Sequence, residues 1–138
     1  MYAVVDTNVL VSSMITGDDA SPTVGVMNAI VEGLITPIYN QYLIKEYLDV
    51  LKRDKFSIPK EWIKDVMDGI IAFGLLVESD LVNVRMVDVK DLPIYSLVIN
   101  TLHLGSYLIT GNIKHFPEED FIITPREAMT LLGYYHVS

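Results

Sequence analysis

The chain has 138 residues, 51% of them hydrophobic and 20% charged, which is enough apolar material for one buried core and excludes a disordered chain. It contains no cysteine, which excludes disulfides, thiolate metal sites and cysteine nucleophiles and fits a reducing compartment. Ten Lys+Arg stand against eighteen Asp+Glu, a formal charge of −8, so a broad basic face for nucleic acid is excluded and any phosphate partner needs local cations or bound metal.

The apolar run at residues 2–5 predicts a buried strand that stops at Asp6. Residues 7–13 follow without an assigned element, then a polar loop at 16–20. Ser21 reads as an N-cap and Pro22 as the first residue of a helix that spaces Val24, Met27, Ile30, Val31 and Leu34 at the helical period. A second strand is predicted at 35–39. Asn40 caps the next helix, with Leu43, Tyr47, Leu48 and Leu51 inward and Lys52-Arg53 at its end. Ser57-Ile58-Pro59 opens another helix, with Trp62, Ile63, Val66, Met67 and Ile70 in the core and Gly74 near its end; a strand at 75–78 follows. Asp91 reads as the cap of a helix with Pro93 in its first turn and Ile94, Leu97, Val98 and Thr101 inward. Strands at 106–110 and 121–124 and a closing helix at 125–132 complete the chain. Tyr134-Tyr135-His136-Val137-Ser138 reads as an exposed aromatic end, frayed or in contact with a partner chain. The alternation predicts an α/β fold, a mostly parallel sheet with helices on both faces, in a single domain over 1–138. No apolar run is long enough to span a membrane, and the start at Met1 lacks the features of a signal peptide, so a cytoplasmic location is expected.

In an open parallel sheet, ligands gather at the carboxyl ends of the strands. Asp6, Asp91 and Thr110-Gly111-Asn112 fall there, and Glu46 lies off the inner stripe of its helix and can lean toward that end. Each has a plainer reading: Asp6 as an Asx-turn, Glu46 as a solvated helix residue, Asp91 as a cap, and 110–112 as a turn in which Gly111 and Asn112 can take positive φ. Converging carboxylates without a basic partner repel one another, and a divalent cation removes that conflict. Oxygen donors alone point to Mg²⁺ or Mn²⁺, and the chemistry that uses them is phosphoryl or phosphodiester cleavage.

Val4-Val5-Asp6-Thr7-Asn8-Val9-Leu10 resembles the opening of PIN-domain nucleases. Tyr42 through Leu51 is similar to the helix that carries their second acid, Glu46 here, and Asp91-Leu92-Pro93-Ile94-Tyr95 to their third-acid segment. Residues 107–117 and 121–127 resemble the later strands of one branch, the VapC-like toxin components of toxin–antitoxin pairs. The resemblance implies a Rossmann-like PIN sheet, a metal-dependent endoribonuclease acting on an RNA substrate, a cognate antitoxin protein as partner, and a homodimer. Carried over by position, Asp6, Glu46 and Asp91 are the catalytic, metal-binding acids for Mg²⁺ or Mn²⁺, with Asn8, Thr110 and Asn112 supporting. Asp88 is the reserve for the third acid. Two positions depart from the pattern: Asn112 and Ser96 stand where many PIN nucleases have acids, which favours one metal over two.

Lys114 and His115, beside the site, read as RNA-binding residues or as a surface pair, with His115 also a candidate general base. Lys52, Arg53 and Lys55 read as a solvated helix end or a contact to RNA. Two other functions compete. One is a catalytically weakened binding module on the same fold, acting through protein or RNA contacts. The other is a phosphohydrolase or receiver-type switch with an aspartyl nucleophile, whose partner residues do not follow Asp6 here.

Overall fold

The computed structural model describes residues 1–134. Five strands form one parallel sheet: β1 (Tyr2–Val5), β2 (Thr36–Tyr39), β3 (Leu75–Leu76), β4 (Tyr107–Ile109) and β5 (Ile122–Ile123). Six α-helices connect them among the described residues: α1 (Thr7–Ile15), α2 (Pro22–Val31), α3 (Gln41–Leu51), α4 (Lys60–Phe73), α5 (Leu92–Ile99) and α6 (Pro125–Leu131). The spatial order is β3-β2-β1-β4-β5. Ala3, Val4 and Val5 are all buried although successive strand residues face opposite sides, so helices cover both faces of the central strand. This is the α/β architecture the alternation of elements predicts. No helix among the described residues is long and apolar enough to cross a membrane.

Local chemistry accounts for most element ends. The Asn40 side chain accepts the Leu43 N–H at 2.7 Å and starts α3. Thr124 and Glu127 close a capping box at the start of α6. Gly33, at φ 79, ends α2 and lets the Leu34 N–H return to the Ala29 carbonyl at 2.8 Å. Gly74 joins α4 to β3 where a Cβ would lie within 2.6 Å of the Pro37 carbonyl oxygen and closer still to that of Ile70. Only glycine passes there.

Several expectations are corrected. Residues 7–13, left unassigned, belong to α1, whose Val9, Leu10 and Val11 are buried. In α2 the buried residues are Val26, Ala29 and Ile30, while Val31 is 68% exposed and Leu34 lies beyond the helix. Trp62 is 54% exposed rather than core, because the apolar stripe of α4 is wider than the surface covering it and only Ile63, Met67 and Ile70 are buried. β3 is two residues long rather than four and forms an exposed edge. Of the aromatic end, Tyr134 donates its hydroxyl to Glu32 at 2.7 Å, and residues 135–138 lie outside the described residues.

Candidate functional site

β1 and β4 pair in parallel, Val4 with Leu108 and Val5 with Ile109, although a hundred residues separate them. The chain leaves β1 toward β2 on one side and reaches β5 from β4 on the other, so a crevice opens beyond their carboxyl ends. A cavity of about 470 Å³ occupies that position, lined by Asp6, Glu46, Asp88 and Asp91 together with Asn8, Asn112 and His115.

Asp6 follows β1 and is the N-cap of α1. Its Oδ1 accepts the Thr7 N–H at 2.8 Å, and its Oδ2 accepts the Thr110 hydroxyl at 2.8 Å and the Asn8 amide at 3.4 Å. The Thr110 oxygen in turn accepts the Asn112 N–H at 3.0 Å, and the Gly111 N–H reaches the Asn8 side chain at 3.3 Å. The turn at 110–112 is therefore held by side chains; Asn112 keeps a negative φ of −117. Burial pushes the Asp6 carboxyl above its usual range, opposed by the hydrogen bonds from Thr110 and Thr7 and by His115.

Glu46, from α3, accepts the Thr7 hydroxyl, which brings it to the first turn of α1 rather than into bulk solvent. Beside it, Tyr47 donates to the Val5 carbonyl and locks α3 to the end of β1. Burial raises the Glu46 carboxyl; the Thr7 bond opposes this, Asp6 adds to it, and Arg53 opposes it.

Asp91 stands at the N-cap position of α5 but makes no side-chain capping bond. That corrects the reading of Asp91 as a cap. The capping carboxylate is Asp88, which accepts the Lys90 N–H at 3.0 Å and begins the short turn Val89–Asp91. Asp91 Oδ2 lies 3.6 Å from His115 Nδ1. Burial first, then repulsion from Asp6, Asp88 and Glu46, pushes the Asp91 carboxyl up to about 6, with His115 opposing.

The remaining positions separate. Asn112 and His115 line the cavity, whereas Lys114 lines a different depression with Glu118, Glu119 and Glu127. Successive residues of a tight turn point different ways, which splits this pair. Ser96 is 1% exposed, does not line the cavity, and accepts the Val82 N–H at 3.0 Å to pin the preceding loop. Ser96 itself supplies no group to the cavity. The lining also includes Thr7, whose signal in the sequence is a hydroxyl in the first helical turn after the acid, and Ser12 and Phe56, to which the sequence assigns no role. Arg53, read chiefly as a helix end, also lines the cavity.

A family model described as PIN domain matches residues 2–114. The chain belongs to the PIN-domain family. No curated protein and no solved structure matches it. PIN domains are in general nucleases, hydrolases of nucleic acid that use divalent metals. The donor chemistry of this PIN domain fits a hard cation: four carboxylates, the Asn8 and Asn112 amides and the Thr7 hydroxyl line the cavity, three of the acids have raised pKa values, and the chain has no cysteine. The acids share the cavity without forming a closed cage; among the described residues no three Asp, Glu or His converge as a ready metal cluster.

Proposed function

We propose that this PIN domain, taken over 1–138 as one domain, is a metal-dependent endoribonuclease and the toxin of a toxin–antitoxin pair. The observation that carries the reading is that carboxylates from positions 6, 46 and 91 line one cavity at the β1/β4 crevice, where burial raises the pKa of all three and repulsion from neighbouring acids adds to it at Glu46 and Asp91. Asp6, Glu46 and Asp91 would hold Mg²⁺ or Mn²⁺, and Asp88 lines the same cavity. The ion supplies positive charge where a phosphodiester and its leaving oxygen gather negative charge.

The chain's own residues do the positioning. Thr110, Asn8 and the Thr7 N–H fix both oxygens of Asp6, and the Thr7 hydroxyl fixes Glu46. His115 Nδ1 faces Asp91 and is placed to hold or release a proton beside the scissile phosphate. The toxin role, a cognate antitoxin and a homodimer rest on the likeness of residues 107–117 and 121–127 to the VapC-like branch. A small DNA-binding antitoxin gene immediately upstream would support that role.

RNA incubated with Mn²⁺ or Mg²⁺ tests the activity: cleavage is expected from the native chain and not from Asp6→Asn. Cleavage that survives the substitution removes the reading. One observation favours the alternative of a catalytically weakened binding module: Asn112 brings an uncharged amide to the cavity. Calorimetric titration with Mn²⁺ separates the two, since a folded chain that takes up no ion at millimolar concentration is the binding module.

A further inference from the structure

We infer that a second cavity, between the end of α3 and the start of α4, holds a backbone phosphate of the RNA strand whose scissile phosphate sits at the acid cavity. The inference rests on the ribonuclease reading for its substrate; its site shares only Arg53 with the acid cavity.

The cavity measures about 620 Å³ and is lined by Lys52, Arg53, Asp54, Ser57, Lys60 and Ile63, among others. That volume admits one nucleotide's sugar and phosphate and is too small for a duplex. Its cations are concentrated against the trend of the chain. Four of the ten Lys+Arg fall in residues 52–60, with Asp54 as the lone acid there, in a molecule of net charge −8. Among the described residues none of Lys52, Arg53 and Lys60 is in a salt bridge. Asp54 is the one carboxylate lining the cavity against Lys52, Arg53 and Lys60, and a polyanion relieves the repulsion that remains.

The fold sets these cations on a firm base. Leu51, which precedes Lys52 in the chain, and Ile63, which lines the cavity, are both buried. After α3 the chain makes a tight turn at Asp54–Phe56, and Ser57 then reverses direction at φ 51, the one positive φ at a non-glycine residue among those described. That reversal returns the chain so that Lys60, at the start of α4, lines the same cavity as Lys52, at the end of α3.

Arg53 lines both cavities, so the two lie on either side of one side chain. A strand lying across the acid cavity meets carboxylates at Asp6, Glu46, Asp88 and Asp91. On the Arg53 side it meets cations. The strand therefore leaves the acid cavity over Arg53 with its next phosphates toward Lys52 and Lys60.

The test is the double substitution Lys52→Ala/Lys60→Ala, both at exposed positions, with folding checked by its melting temperature. Binding of a labelled single-stranded RNA oligonucleotide is followed by fluorescence anisotropy in EDTA across a KCl series. Loss of one phosphate contact is expected to weaken binding roughly threefold to tenfold and to reduce the slope of log K against log salt by about 0.7. Hydrolysis of bis(4-nitrophenyl) phosphate with Mn²⁺, a diester small enough for the acid cavity alone, is expected to stay at the native rate. Unchanged affinity and slope, or a native chain that binds no RNA, overturns the inference. An equal loss of diester hydrolysis overturns it too, because the substitutions would then be acting through the acid cavity. If the native chain cleaves neither substrate and RNA binding still loses its slope in the variant, the phosphate site stands and the ribonuclease reading falls.

Discussion

The cavities on either side of Arg53 are built in opposite ways. On one side the functional groups are short carboxylates at strand ends and helix starts; Asp6 is 6% exposed, and both of its oxygens accept hydrogen bonds. On the other side they are long, exposed cations at a helix end, a helix start and the loop between. On the ribonuclease reading proposed above, the contrast corresponds to two tasks. Bond cleavage needs charges held in place and partly desolvated, where electrostatics are strong. Holding a strand needs charges that adapt to a moving backbone and act through release of counterions.

The largest effect expected is at Asp6. Asp6→Asn preserves shape and removes charge, and single-turnover RNA cleavage with Mn²⁺ should fall by roughly a hundredfold to a thousandfold or disappear, on the scale of losing one group that stabilises transition-state charge. Lys52→Ala/Lys60→Ala should leave that step intact at saturating RNA. If the two variants lose the same step to the same degree, the division of labour between the cavities is wrong.

Next comes Thr110→Val, which leaves the buried Asp6 Oδ2 and the Asn112 N–H without their shared hydroxyl. A cost of about 1–3 kcal/mol is expected from urea unfolding midpoints. A neutral outcome would mean that the acid cavity is less rigidly built than the cationic one.

A third effect is pH-dependent. Asp91 has its carboxyl raised from 3.8 to about 6 in the folded chain, so its contribution to stability is fully present below the ordinary value and is lost as pH rises through about 6. Asp6 and Glu46 shift in the same direction. In EDTA, Asp91→Asn should therefore melt at a higher temperature than the native chain at pH 7 and close to it at pH 4. Added Mn²⁺ should raise the native melting temperature at pH 7 and leave the variant's nearly unchanged. A variant less stable than the native chain at pH 7 in EDTA would contradict the repulsion described.

The smallest effect is a control. Lys64 pairs with Asp68 on the exposed side of α4 at 2.6 Å. Lys64→Ala should change neither the salt slope of RNA binding nor diester hydrolysis. A slope that falls as much as in the Lys52/Lys60 variant would assign RNA binding to overall charge rather than to the cavity.

Much of the fold was legible because local chemistry marks it. Asn40 starts α3 as read, Pro22 lies in the first turn of α2, and the apolar run at 2–5 is a strand buried on both faces. α1 was not assigned because its β-branched residues Thr7, Val9, Val11 and Ile15 blur the helical period, and its burial comes from neighbours rather than from a stripe. Trp62 and Val31 follow the helical period and are still exposed, because a sequence gives the period of a stripe but not the width of the surface that covers it. At the site, the Asp6 environment was readable from an acid directly after an apolar strand. The separation of Lys114 from His115, the loop-pinning role of Ser96 and the arrival of Arg53 at the cavity were not readable, since each depends on where a turn points its side chain.

The sequence by itself determined the order of the strands and of the helices after α1, the absence of cysteine ligands, the acid after β1 and the cation cluster of Lys52, Arg53 and Lys55. These follow from residue type and near neighbours. Only the tertiary structure decided that Glu46 and Asp91 share a cavity with Asp6, that Asp88 caps in place of Asp91, and that one arginine borders two cavities of opposite charge. The reason is strand order: β1 pairs with β4 across a hundred residues, and distances through space at that seam are set by hydrogen-bonded register and helix packing rather than by spacing along the chain.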